Sequence, residues 1–274
     1  MKHKLNFIFD AIGDQVCTTS FPENYFNETG NKLAIDNPKI WAFKYNPYVE
    51  FLTPTQSRTL ISINLMPDTR IRDQTTNYYN HYNNFSIGSQ AEWLCTNAGI
   101  KNPKLRHPRL YQYEDEKTIP NKVIIHTTGK LNRPDEPEIR YTLGEDSTRS
   151  MSQKIIEQIA ENYEGWDIYQ VGGINDIDMV GKFTDLRGLD LWETARHISQ
   201  SAKFIGINSG MMHIANCYPK VEKRILMNEL SDESISKWRL GDIRNLSFAW
   251  YDAASTIFNK SENDISYTYS YKKI

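Results

Sequence analysis

Short apolar runs that end in a polar or glycine-containing turn and lead into a helical stretch recur along the chain. This rhythm restricts the fold more than any other feature. The first run, Leu5–Phe9, is stopped by Asp10 and Gly13. A run apolar on both faces is the mark of a parallel strand in an α/β sheet. Further strands are expected at Lys32–Ile35, Val49–Leu52, Leu60–Leu65, Lys122–His126, Asp167–Val171, Lys203–Ile207 and Arg224–Met227. Helices are expected to start near Asp14 and to cover Ala91–Ala98, Ser152–Tyr163, Asp190–Gln200 and Met211–Cys217. In the second of these, Ile155, Ile156, Ile159 and Ala160 share one stripe. A last helix is expected over Ile235–Phe258, and the Tyr- and Lys-rich tail from Ser261 is expected on the surface.

With 274 residues, the chain exceeds the usual ~100–200 residues per domain. Prolines and charges gather between Lys101 and Asn121, and the strand–helix rhythm restarts at Lys122. The expected division is therefore 1–118 and 119–274, with the last helix packing back on the first half. Strands alternating with helices on both sides of a linker predict two Rossmann-like halves with a cleft between them. Ligands in such sheets bind outside the carboxyl ends of the strands.

Composition narrows the function classes. A hydrophobic content of 39% and a charged content of 24% exclude intrinsic disorder. No stretch approaches the ~20 apolar residues of a membrane span. The amino-terminal apolar run is shorter than the ~7–15 residues of an export signal. The formal charge of −2 gives no support to a nucleic-acid partner, although Lys101, Lys104, Arg106 and Arg109 form a small basic group. Cys17, Cys95 and Cys217 are odd in number and far apart, so neither a disulfide framework nor a cysteine-based zinc site is expected. A reducing cytoplasm is the natural setting.

Three turns carry residues suited to chemistry. In Gly13-Asp14-Gln15, a carboxylate at a helix start is either a general base beside a glycine that admits a substrate or a helix cap. In His126-Thr127-Thr128-Gly129-Lys130, hydroxyls and a cation follow a strand; they suit diphosphate oxygens or form a plain polar loop. No phosphate-binding G-x-x-x-x-G-K-[ST] sequence is present. In Gly206-Ile207-Asn208-Ser209-Gly210, an apolar strand meets a tight turn before a helix carrying His213. That turn suits an anion; alternatively Ser209 caps the helix and His213 packs on the sheet.

Taken together the turns resemble family 9 glycosyltransferases, which include the bacterial lipopolysaccharide heptosyltransferases. The amino-terminal signature G-D-x-x-x-T-x-P reads here Gly13-Asp14-Gln15-Val16-Cys17-Thr18-Thr19-Ser20, with Pro22 displaced by two. The carboxyl-terminal signature G-N-D-S-G-x-x-H-x-A-A reads Gly206-Ile207-Asn208-Ser209-Gly210-Met211-Met212-His213-Ile214-Ala215-Asn216. Val171-Gly172-Gly173 before Asp176, and Leu186-Arg187-Gly188 before Leu191, also look like the family.

The resemblance implies a GT-B fold of two facing Rossmann-like domains, and inverting transfer from a nucleotide-diphosphate sugar with no metal and no cofactor. It makes Asp14 the base that takes the acceptor proton, with Gly13 on the acceptor side. The stretch Arg70–Asn84 sits where acceptor contacts are expected, so Tyr78 and Tyr79 either stack on the acceptor or belong to a surface loop. Thr127, Thr128, Gly172, Gly173, Asn208, Ser209, Gly210 and His213 would surround the donor, its diphosphate neutralised by either Lys130 or Arg149. Asp185 to Gly188 would line the base pocket. Asn208 stands where the family has an acid, so the donor (ADP-heptose or another nucleotide sugar) does not carry over. A surface glycan is the acceptor the family implies. Transfer to protein or modified DNA, a nucleotide-sugar epimerase or hydrolase, and a non-catalytic nucleotide-sugar-binding module stay open as alternatives.

Overall fold

The computed structural model describes the backbone of residues 3–6, 12–37, 40–57, 60–64, 94–95, 98–101, 103–105, 108–129, 150–151, 153–207, 209–226, 256–261 and 264–270. These residues fall into two compact units, one up to Gln112 and one from Tyr113.

The first unit is built on four parallel strands in the order β3-β2-β1-β4. They are β1 (His3–Asn6), β2 (Leu33–Ile35), β3 (Val49–Phe51) and β4 (Ile61–Asn64). Leu5 of β1 pairs with Ile35 on one side and Ile63 on the other. The chain leaves β1 toward β2 and returns to β1's other edge as β4, so the order reverses at the carboxyl end of β1. Helix α1 (Ile12–Cys17) follows that end. Asp14 therefore lies inside the helix, two residues past its first residue, rather than at the position before it. Thr18, the threonine of the amino-terminal signature, is buried and its hydroxyl donates to the Gln15 carbonyl, closing the helix.

Helix α2 (Phe21–Thr29) carries Pro22 in its first turn, where a missing N–H costs nothing. It stops at Gly30, whose left-handed φ of 70° lets its N–H reach the Phe26 carbonyl. Phe21 and Tyr25 bury one face of α2 in a core with Leu5, Leu33, Ile35 and Phe43. The segment expected to be a linker is in part tied to this unit. The buried Asn24 amide donates to the Leu105 carbonyl and accepts from the Lys104 and Leu105 N–H groups. Glu23 holds Arg109 and the Tyr111 hydroxyl. Short α3 (Pro54–Ser57) precedes β4.

The second unit carries a seven-stranded sheet in the order β11-β10-β9-β8-β5-β6-β7. Its strands are β5 (Ile119–His126), β6 (Asp167–Gln170), β7 (Thr184–Asp185), β8 (Ser201–Ile207), β9 (Glu222–Leu226), β10 (Thr256–Ser261) and β11 (Asp264–Ser270). All neighbours are parallel except β10 and β11. Helix α4 (Gln153–Asn162) lays Ile155, Ile156 and Ile159 on a core with Val123, Ile125, Ile168 and Ile205. Helix α5 (Leu191–Ser199) begins on Asp190, whose carboxylate accepts from the Trp192 and Glu193 N–H groups. Helix α6 (Gly210–Asn216) follows β8.

One expectation at the carboxyl end is corrected. Thr256–Phe258, expected to end a helix, begin β10, which extends the sheet in register with β9. The tail beyond Ser261 supplies the edge strand β11, antiparallel to β10. Ile265-Ser266-Tyr267-Thr268-Tyr269 alternates with period two and is rich in β-forming residues, a strand signal outweighed in the sequence by its polar content. The rest of the expected last helix, 235–255, lies outside the described residues.

Candidate functional site

In the second sheet the chain moves from β5 to β6 and β7 in one direction, then crosses to β8 and β9 on β5's other side. The connections after β5 and β8 therefore diverge, and the crevice they leave at the carboxyl ends is where open α/β sheets bind ligands. Two polar side chains meet there. His126 ends β5, and Ser209 follows β8 with its Oγ 3.0 Å from His126 Nδ1. On the ring's other side, His126 Nε2 is 3.4 Å from Asp176 Oδ2, and both side chains are nearly dry at 5% and 8% exposure.

Asp176 reaches this position because the loop after β6 is pinned from several directions. The Gly173 N–H donates to Asp176 Oδ2 at 3.0 Å, while the Asp176 N–H donates to the Gly173 carbonyl. Gly172 has φ 132°, a conformation L side chains rarely adopt, and a Cβ there would stand 2.0 Å from Asp176 Oδ2. Gln170, fully buried at the end of β6, donates to the Ile177 carbonyl and accepts from the Met179 N–H. The Thr127 hydroxyl donates to the same Ile177 carbonyl at 2.6 Å, and Thr128 Oγ1 accepts from the Ile177 N–H.

This pinning changes the reading of the two threonines. Both are buried, and their hydroxyls are engaged inside the fold, fixing the segment that carries Asp176. Through these bonds the two threonines fix the segment 176–177 against the end of β5. Ser209 likewise departs from the cap reading: it makes no side-chain cap bond, and its hydroxyl turns to His126. Gly210 opens α6, and His213 is buried on that helix.

Arg187 ties the other rim together. Its guanidinium donates to both Asp185 oxygens, to the Asp176 main-chain carbonyl and to Asp178. Those hydrogen bonds hold the Asp185 carboxyl down to about 2. The Gly188 N–H donates to the Gly172 carbonyl, bringing 185–188 beside the glycine pair. Ile174, 68% exposed, and Leu189 leave apolar surface on this rim.

Asp14 and Gly13 sit in α1; the Asp14 side chain lies outside the described residues, as do Tyr78, Tyr79, Lys130, Arg149 and Asn208 altogether. Sequence reasoning assigned no role to His126, Asp176 or Gln170. A histidine and a glutamine closing otherwise apolar strands were the available signal. Among the described residues, no group of three or more His, Cys, Asp or Glu is arranged to hold a metal ion.

No protein-family model and no curated protein matches the chain. Solved structures do. The chain is similar to a glycosyl transferase family 9 protein from Veillonella parvula DSM 2008, with a TM-score of 0.61 and 14% identity over 94% of this chain and 85% of that one. E. coli ADP-heptose LPS heptosyltransferase II gives a TM-score of 0.59 and 11% identity, covering 97% and 95%. The iron-containing dodecameric glycosyltransferase TibC from enterotoxigenic E. coli H10407 gives 0.58 and 15%, covering 98% and 68%. The α/β architecture is thus the GT-B fold expected from the sequence, and the resembled family is represented among these neighbours.

Proposed function

We propose that the chain is a glycosyltransferase that moves a sugar from a nucleotide-diphosphate sugar to an acceptor hydroxyl. The observation that carries this reading is the meeting of Ser209, His126 and the Gly172-Gly173 backbone at the reversal point of the second sheet, within the GT-B fold. The donor's diphosphate belongs beside Ser209 and Gly210, and the base beside Gly173, Ile174 and Gly188. Exposed Ile174 supports the second placement, because an aromatic base needs an apolar surface to cover it. Lys130 or Arg149 supplies further positive charge, and His213 and Asn208 complete the donor side.

Asp14 is the proposed general base. Its place at the reversal point of the first sheet, just past β1, supports the assignment. It takes the proton of the acceptor hydroxyl as that oxygen attacks the anomeric carbon, and the nucleoside diphosphate leaves with inversion. Hydrogen-bond donors and fixed positive charge stabilise the leaving group electrostatically, without a metal. The relatives named as heptosyltransferases favour an ADP-heptose-like donor, and a bacterial surface glycan is the proposed acceptor. The three cysteines, odd in number and far apart in the chain, support a cytoplasmic setting.

The test is release of nucleoside diphosphate from ADP-, UDP- and GDP-linked sugars in the presence of lipopolysaccharide-core acceptors. One donor class is expected to turn over, and Asp14→Asn to slow it by about 10²–10⁴-fold with donor affinity retained. Full turnover by Asp14→Asn removes the base assignment, and turnover of no donor removes the transferase reading.

A further inference from the structure

Resting on the reading just given, we propose that Gln170 is a positioning residue for the donor: it fixes the main chain of Ile177 and Met179, so that the loop 172–179 stands in its binding geometry before a nucleotide arrives, and the choice between nucleotide bases depends on that fixing. The argument starts from a polar group out of place. Gln170 closes β6 two residues after Ile168 and in register with Ile125 of β5, both part of an apolar core, and it is fully buried. A carboxamide without partners would cost more at such a place than a leucine or methionine of similar volume. All of its hydrogen-bonding groups are engaged on one short segment and the threonine beside it.

Gln170 Nε2 donates to the Ile177 carbonyl at 2.6 Å and to Thr127 Oγ1 at 3.2 Å, while Oε1 accepts from the Met179 N–H at 2.9 Å. Ile177 offers an acceptor and Met179 a donor, so the carboxamide has a single workable orientation. The Thr127 hydroxyl donates to the same Ile177 carbonyl, and the Ile177 N–H donates to Thr128 Oγ1. Both main-chain polar groups of Ile177 are thus held by side chains at the ends of β5 and β6. Met179 is buried in the same core as Ile125 and Ile168, which anchors the far end of the segment. An apolar residue at 170 would remove all three bonds, and a carboxylate would remove both donors.

The loop needs such support. Gly172-Gly173-Ile174-Asn175-Asp176 contains two glycines and two turn-forming residues, and its composition alone does not stiffen it. A segment of this kind, ordered only on binding, loses conformational entropy at that moment, with a matching loss of affinity. A loose wall also fits bases of different size about equally well, because it yields to each. Arg187, through the Asp176 carbonyl, and the Gly188 N–H, through the Gly172 carbonyl, hold the loop from the rim. Gln170 holds it from the core. Between the two lies Ile174, exposed on the side where the base is proposed to rest.

The test is calorimetric titration of the full chain with ADP, UDP and GDP. Wild type is expected to prefer one of the three. Gln170→Met keeps the volume and removes all three bonds; it is expected to weaken the preferred nucleotide about tenfold and the other two less, so that the preference narrows. Ile159→Val on α4 lowers stability without removing any of these bonds, and is expected to leave affinity and preference unchanged. No preference in wild type, an unchanged preference in Gln170→Met, or an equal narrowing in Ile159→Val overturns the proposal while leaving the transferase reading intact. Binding of none of the three nucleotides by wild type overturns both. Should Gln170→Met fail to fold, amide hydrogen exchange of wild type decides. Protection of the Ile177 and Met179 N–H groups in the free protein supports a preformed loop, and protection that arises only with bound nucleotide overturns it.

Discussion

Ser209 Oγ lies 3.0 Å from His126 Nδ1, so two residues 83 positions apart join the carboxyl ends of neighbouring parallel strands. The contact exists because β8 pairs with β5 in a register that sets Gly206 opposite His126, leaving the turn after β8 level with the end of β5. A glycine at 206 leaves that register open, since a side chain there would press on the Phe204 ring at 2.7 Å.

Gly172→Ala is expected to disrupt this site from its other side. The new methyl would meet Asp176 Oδ2 at 2.0 Å, in a backbone conformation with φ 132°. A loss of about 1–3 kcal/mol in urea unfolding is expected from the backbone alone, with donor affinity reduced at least tenfold by about the same displacement energy. Gly173→Ala, whose φ lies outside the strained range and whose methyl would stand 3.1 Å from Asp176 Oδ1, is the milder control.

Thr127→Val keeps shape and removes the hydroxyl that donates to the Ile177 carbonyl. Loss of about 1–2 kcal/mol of stability is expected, with a smaller effect on donor affinity than Ser209→Ala. Equal affinity losses in the two variants would return Thr127 to direct ligand contact.

Lys122 predicts an alkaline rise in stability. Burial first, and then the Arg196 charge, pull its ammonium down to about 8; its Nζ is 3.2 Å from His197 Nδ1 and 5.0 Å from the Tyr169 ring centre. The folded state therefore sheds this proton at lower pH than the unfolded chain. Between pH 8 and 10.5 the unfolded state binds more protons, so stability rises with pH, by about 3 kcal/mol in the limit. Lys122→Met should remove that part of the rise in denaturant midpoints measured at pH 7, 9 and 10.

Asp185 predicts the opposite window. Its carboxyl is held down to about 2 by the Arg187 hydrogen bonds, from a usual 3.8. The stabilisation is present above pH 4 and is lost as pH falls toward 2. The carboxylate is half exposed, so Asp185→Asn is expected to cost under about 1 kcal/mol at pH 7. Wild type and variant should converge in urea midpoint at pH 2.

What the sequence disclosed and what it withheld follow one physical division. The β5 run Val123-Ile124-Ile125, the Ile155-Ile156-Ile159 stripe and the Asp190 cap are legible because period, burial and capping act between near neighbours. The strand, turn and helix around Ser209 were legible, yet the partners of its side chain were not. Asp176 stands 50 residues from His126 in the chain, and strand order alone brings them together. The hydrogen bonds of the Thr127 and Thr128 hydroxyls were not legible because their acceptor and donor at Ile177 lie on another loop. The β10–β11 pair was hidden by the polar residues within it.

Thermal melting of the full chain with ADP-, UDP- and GDP-linked sugars bears most directly on the claim that the second sheet binds a nucleotide sugar. One class is expected to raise Tm in proportion to the logarithm of its concentration, with about 2.7 kcal/mol of added stability at one hundred times Kd. Ser209→Ala should need more of the same ligand for an equal rise. An unchanged Tm with all three classes at millimolar concentration would contradict the account.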